Sequence, residues 1–151
     1  MRTFCTLDEL AACVGQPVAV SDWHEVTQAQ VQRFADATGD HQWIHVDPER
    51  ARQGPFGAPV AHGFLTLSLM PAFLESALRV DEVRMGVNYG MNRVRFTAPV
   101  PVGSRLRAHF TLKACDPIEP RGRQSTWDVS VEREGSDKPV CVAEFLARSY
   151  A

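Results

Sequence analysis

Cysteine is scarce in this 151-residue chain, and its four copies, Cys5, Cys13, Cys115 and Cys141, lie far apart. They form no CxxC pair and no Cys/His zinc spacing, which leaves buried or idle thiols as the reading. Charge of one sign is also scarce. Sixteen Lys and Arg face eighteen Asp and Glu for a net charge of -2, so there is no broad basic field and nucleic acid is not the expected partner. The Walker and Rossmann glycine patterns are missing too, which removes support for nucleotide hydrolysis and nicotinamide chemistry. The stretch Met1 to Glu9 carries one basic residue and no continuous apolar run, so a secretory leader is not expected. With unpaired cysteines, this points to a cytoplasmic, reducing compartment.

What is present is enough apolar material for a core. Hydrophobic residues make up 44% of the chain, which excludes disorder, and no repeat, low-complexity tract or linker divides it. One domain spanning residues 1–151 is the expectation.

Helix signals crowd the first half. Thr6 and Glu9 fit a capping box before Leu7, Leu10, Ala11 and Val14, with Gly15 as a stop. Pro17 to Val20 and Trp23 to Val26 read as extended. Thr27 and Gln30 repeat the capping pattern before Val31, Phe34, Ala35 and Thr38, and Gly39 ends that helix. Asp40 therefore opens a loop. Asp47 followed by Pro48 starts another short helix, and Gly54 to Pro59 reads as irregular backbone.

Residues Gly63 to Arg79 form the strongest helix signal, hydrophobic on nearly every side, which predicts a buried helix with a kink or tightening at Pro71. Pro71, Glu75 and Ser76 interrupt it too much for a membrane span. Beyond Arg79 the period changes to two. Val94 and Phe96 alternate with Arg93 and Arg95; Leu106, Ala108, Phe110, Leu112 and Ala114 with Arg105, Arg107, His109, Thr111 and Lys113. Trp127, Val129 and Val131 continue the pattern. Val140 to Tyr150 is apolar on both faces, so it belongs in the middle of a sheet or in a subunit contact. Helices first and antiparallel strands later give an α+β class, with a curved sheet wrapping the long helix and dimerisation covering what remains.

Asp40 and His45 stand five apart in a loop where their side chains can converge. A carboxylate and an imidazole together hold one water and move protons near neutral pH. The residues alone leave open a capped loop with a surface histidine. Gly63 offers a backbone N–H at a helix entrance, suited to an oxyanion, or simply permits close packing. His41 and His62 read as neighbours rather than catalysts, and Trp43 as a loop anchor or a wall of an acyl pocket. The alternating Arg93, Arg95, Arg105, Arg107 and Lys113 either meet phosphates or form a solvated face.

Thr38-Gly39-Asp40-His41-Gln42-Trp43-Ile44-His45, then Ala61-His62-Gly63, the long helix, and Asn92 to Val100 together resemble the MaoC-like (R)-specific enoyl-CoA hydratases, and among them a NodN-like mycobacterial branch. The pattern of that family is G-D-x-N-P-[LIV]-H, of which this chain keeps Gly39, Asp40, Ile44 and His45, with Gln42 and Trp43 in place of Asn and Pro. The likeness runs from about Val20 onward. It implies a hot-dog fold and hydration of trans-2-enoyl-CoA to (R)-3-hydroxyacyl-CoA. Asp40 and His45 would activate the water and the Gly63 amide would meet the thioester oxygen. Ser68 matches a polar position that orients Asp40, unless its hydroxyl bonds back to the Phe64 carbonyl.

The resemblance further implies a homodimer with no metal and no cofactor beyond the coenzyme A of the substrate. Dehydration of 3-hydroxyacyl-ACP in fatty-acid synthesis uses the same residues. A thioesterase, or a non-catalytic acyl-thioester-binding subunit, is the remaining alternative.

Overall fold

The computed structural model describes residues 1–151 and begins with a three-residue strand that nothing in the local pattern announces. This is β1 (Arg2–Phe4), followed by α1 (Leu7–Ala11). Thr6 Oγ1 accepts the Glu9 amide at 3.2 Å, and the Glu9 carboxylate reaches back to the Cys5 amide at 2.7 Å. One orphan amide of the helix entrance and the Cys5 amide just before the cap are thus satisfied.

Two short strands, β2 (Pro17–Val20) and β3 (His24–Glu25), lead into α2 (Gln28–Thr38). Thr27 caps α2 through the Gln30 amide, but the Gln30 side chain turns to the His24 ring at 3.0 Å, so this cap is not reciprocal. Gly39 closes α2 in the left-handed region at φ +81°, its amide bonded to the Ala35 carbonyl. The stretch expected as loop then makes one helical turn, α3 (Trp43–Val46), before α4 (Pro48–Arg52), which Asp47 caps as its spacing predicts. No side chain caps α3. What holds it is tertiary: the Val60 amide bonds to the Ile44 carbonyl, and Trp43 packs over Gly54 and under the Arg50 guanidinium. Trp43 is therefore an anchor of this segment.

The single long helix expected over residues 63–79 is two helices, α5 (Gly63–Ser68) and α6 (Met70–Ala77), divided at Leu69. Pro71 has no amide to give the Leu67 carbonyl, and it lies in the first turn of α6, where that loss costs nothing. Nor is this segment apolar all round in its packing. Leu65, Met70, Phe73 and Ala77 are buried, whereas Phe64 is 68% exposed and Ser68, Ala72 and Glu75 face outward with it. The last residues leave the helix to form β4 (Leu78–Val80), which pairs in parallel with β1.

Four long strands complete the molecule: β5 (Met85–Phe96), β6 (Arg105–Ile118), β7 (Gly122–Arg133) and β8 (Cys141–Tyr150). The antiparallel sheet has the order β2-β6-β7-β8-β5, with β3 also on β6. β8 is an interior strand, paired with β7 on one side and β5 on the other, in keeping with its two apolar faces. Leu106, Ala108, Phe110 and Leu112 point to the helices, but a register shift between Leu112 and Ala114 buries Cys115 in place of Ala114. Trp127 meets Phe110 edge to face at 5.9 Å, and Phe145, Phe73 and Met70 close the core around them. Three cysteines, Cys13, Cys115 and Cys141, are buried and none is paired.

β5 departs from the inside-outside alternation read in Val94 and Phe96. It is an edge strand whose Met85, Val87, Tyr89 and Phe96 are exposed. No helix is long and apolar enough to cross a membrane.

Candidate active site

The turn made by Gly39 sends the chain away from α2 with Asp40 at the surface and brings His45 back inside on α3. His45 is only 7% exposed. Its Nδ1 lies 2.6 Å from the Val60 carbonyl oxygen, which can only accept, so Nδ1 carries the proton and Nε2 is the free base. Gln28 holds the other end of the residue, donating from Nε2 to the His45 carbonyl at 2.8 Å. Burial pushes the His45 pKa below the ordinary 6.5, and the neighbouring His62 pushes it the same way, together outweighing the opposite pulls of the Val60 hydrogen bond and of Asp40. At neutral pH the ring is uncharged.

Asp40, His45 and His62 each bring one ligating atom to within 4.8 Å of the others. Asp40 Oδ1 also accepts the Gln42 amide at 3.4 Å, which leaves most of the carboxylate open. Two hydrogen bonds of ordinary length meeting at one water span about 4.5 Å. Groups within that reach can share one water. A metal fits less well. An ion held by both imidazoles must lie near both ring planes, about 2 Å from each nitrogen. The rings of His45 and His62 are stacked at 3.8 Å with only 26° between their planes, so their lone pairs do not converge.

His45 also lines a cavity of about 370 Å³ with Ile44, Phe56, Val60, Gly63, Thr66, Phe96 and Val140 among its walls. The cavity is mostly apolar. Thr66 supplies a buried hydroxyl with no protein partner, a polar point on that wall. At Gly63 there is no room for a side chain, because a Cβ would lie 2.6 Å from the Phe96 ring. This gives the glycine, itself part of the cavity wall, a packing reason.

A sequence model described as "MaoC like domain" matches residues 9–134. The chain belongs to the MaoC-like family. It is 53% identical to 3-hydroxyacyl-thioester dehydratase Z of Mycobacterium tuberculosis over 151 residues, the full length of both. Nodulation protein N of Rhizobium leguminosarum bv. viciae is 43% identical over 143 residues, covering 93% of this chain and 89% of that one. Among solved structures, the (R)-hydratase from A. caviae involved in PHA biosynthesis superposes with a TM-score of 0.70 at 23% identity, over 89% of this chain and 94% of that one. The architecture is the hot-dog fold of these MaoC-like proteins.

In this MaoC-like chain the structure brings together Asp40 and His45, and puts Gly63 and His45 on one cavity. Ser68 stands apart. Its hydroxyl donates to the Leu65 carbonyl at 2.8 Å, within its own helix turn, and it borders a different cleft with Phe34, Thr38 and Phe64. His41 is an exposed partner of Asp36, which holds its proton and raises its pKa. The alternating cations of the sheet are largely paired: Arg105 with Glu134, Arg107 with Glu132, Lys113 with Glu144. They form the outer face of the sheet, away from the cavity that His45 lines.

Proposed function

We propose that this protein is an (R)-specific enoyl-CoA hydratase, adding water reversibly to a trans-2-enoyl-CoA to give the (R)-3-hydroxyacyl-CoA. The observation that carries the reading is the tautomer of His45, pinned by the Val60 carbonyl and kept uncharged beside the Asp40 carboxylate. In hydration, His45 Nε2 takes a proton from the water while Asp40 holds it, and the water oxygen bonds to C3. The C2=C3 electron pair moves toward the thioester, charging its oxygen. That charge is met by the Gly63 amide, which acts as a hydrogen-bond donor at the cavity wall. The proton then returns to C2, so the pair ends as it began and dehydration is the same path reversed. Proton transfer of this kind uses no cofactor, and coenzyme A enters only as part of the substrate.

The 53%-identical relative, a 3-hydroxyacyl-thioester dehydratase by name, supports this chemistry in the dehydration direction. It does not distinguish a coenzyme A thioester from a carrier-protein one. The exposed apolar side chains of the β5 edge support a homodimer formed there; a single-chain mass in light scattering would remove that part of the proposal.

The test is hydration of crotonyl-CoA and longer enoyl-CoAs by the purified protein, with the configuration of the product determined, beside the same acyl chains on a carrier protein. Hydration yielding the (R) alcohol supports the reading. Turnover only of carrier-borne chains would instead make it a 3-hydroxyacyl-ACP dehydratase, and thioester binding without turnover an acyl-thioester-binding subunit. The pH profile follows from His45. Its base form is the active one and its pKa is lowered, so kcat/KM stays level from neutrality down past the ordinary histidine value and falls only below it. A fall beginning above pH 7 would contradict this.

A further inference from the structure

His62 is 2% exposed and closes the gap between the two segments that carry the site. Its Nε2 donates to the Asp40 carbonyl oxygen at 2.9 Å, across 22 residues of chain. One face of its ring is stacked on His45 at 3.8 Å, and its ring also packs against Phe34, tilted, at 5.0 Å. Nδ1 is buried with no partner. For packing alone a histidine is a poor choice here, since a phenyl ring would fill the same slot without stranding a polar nitrogen. What the imidazole adds is the N–H that grips Asp40.

We propose that His62 is a positioning residue, tying the Asp40 backbone to the His45 ring so that carboxylate and imidazole face one water. This rests on the functional reading above and deepens it. Asp40 sits in an exposed loop just after a glycine, and the bond from His62 to its backbone carbonyl ties that loop to the buried side of the site. The stack does a second job. Asp40 from the loop after α2 and His62 from the segment before α5 are the titratable groups facing His45, and the second imidazole discourages a positive charge on the first.

Two variants separate the contributions. His62→Phe keeps a stacked ring and loses the donor; His62→Gln keeps an amide N–H that reaches the Asp40 carbonyl and loses the ring. With crotonyl-CoA, His62→Phe is expected to lose roughly tenfold or more in kcat with little change in KM. His62→Gln is expected to recover most of that kcat. In NMR titrations the His45 midpoint should rise in His62→Gln, and the acid limb of kcat/KM should rise with it. Wild-type kcat in His62→Phe overturns the proposal. So do equal losses in the two variants with an unmoved His45 midpoint, which would mark a merely structural residue. If the wild-type protein turned over no thioester, the hydratase reading would fall by itself, and the His45 midpoint in His62→Gln would still decide the role of His62.

Discussion

His45→Gln is expected to lower kcat for enoyl-thioester hydration by roughly 10²- to 10⁴-fold, the usual share of a positioned general base. Glutamine can still donate an amide N–H toward the Val60 carbonyl that now accepts from Nδ1, so the local fold has a partner to keep. What it lacks is a basic nitrogen. Because Gly63, Thr66 and the apolar walls that would bind the acyl thioester are untouched, KM should change little. Activity within a few-fold of wild type would mean that the water is activated elsewhere.

The second large effect concerns stability. Trp127 is 1% exposed at the centre of β7, edge-on to Phe110, with its indole N–H donating to Ser125 Oγ at 2.8 Å. Trp127→Ala should cost about 3–5 kcal/mol in chemical denaturation, because the sheet cannot collapse over so large a void. For a chain of this size that lowers Tm by roughly 10 °C. The Ser125 hydroxyl is not stranded, since it also reaches the Ala147 carbonyl at 3.2 Å, so the loss reflects packing. Trp127→Phe, which keeps most of the volume, should cost clearly less. Equal losses in the two variants would show that the indole hydrogen bond, and not the cavity, carries the effect.

Local chemistry made much of this fold legible. The caps at Thr6, Thr27 and Asp47 and the left-handed Gly39 act within one helical turn, and each stands where its spacing indicates. Less legible were features that depend on distant residues. β1 and β4 are short and become strands only by pairing with each other across 76 residues of chain. α3 has no cap and exists because Trp43 and the Val60 amide hold it. The division of the long helix at Leu69 carries no glycine, and the register shift in β6 moves Cys115 inward without a sequence mark. Apolar content suggested a helix buried on all sides, but Phe64 shows that a hydrophobic residue can remain on the surface of this chain.

The site follows the same division. Asp40, His45 and Gly63 were marked by their spacing and by the family resemblance. His62 was read as a bystander, since its contribution depends on a stack and a tether that form only when α2, α3 and α5 meet. An imidazole immediately before a cavity-lining glycine was the only signal available for it.

The shared water is tested most directly by a double-mutant cycle in kcat with crotonyl-CoA, comparing Asp40→Asn, His45→Gln and the two combined. If both side chains serve one water, the combined variant is no slower than about the worse single one, because the first substitution already removes what the second would. Losses that multiply would show two independent contributions, and the arrangement described for Asp40 and His45 would then be contradicted.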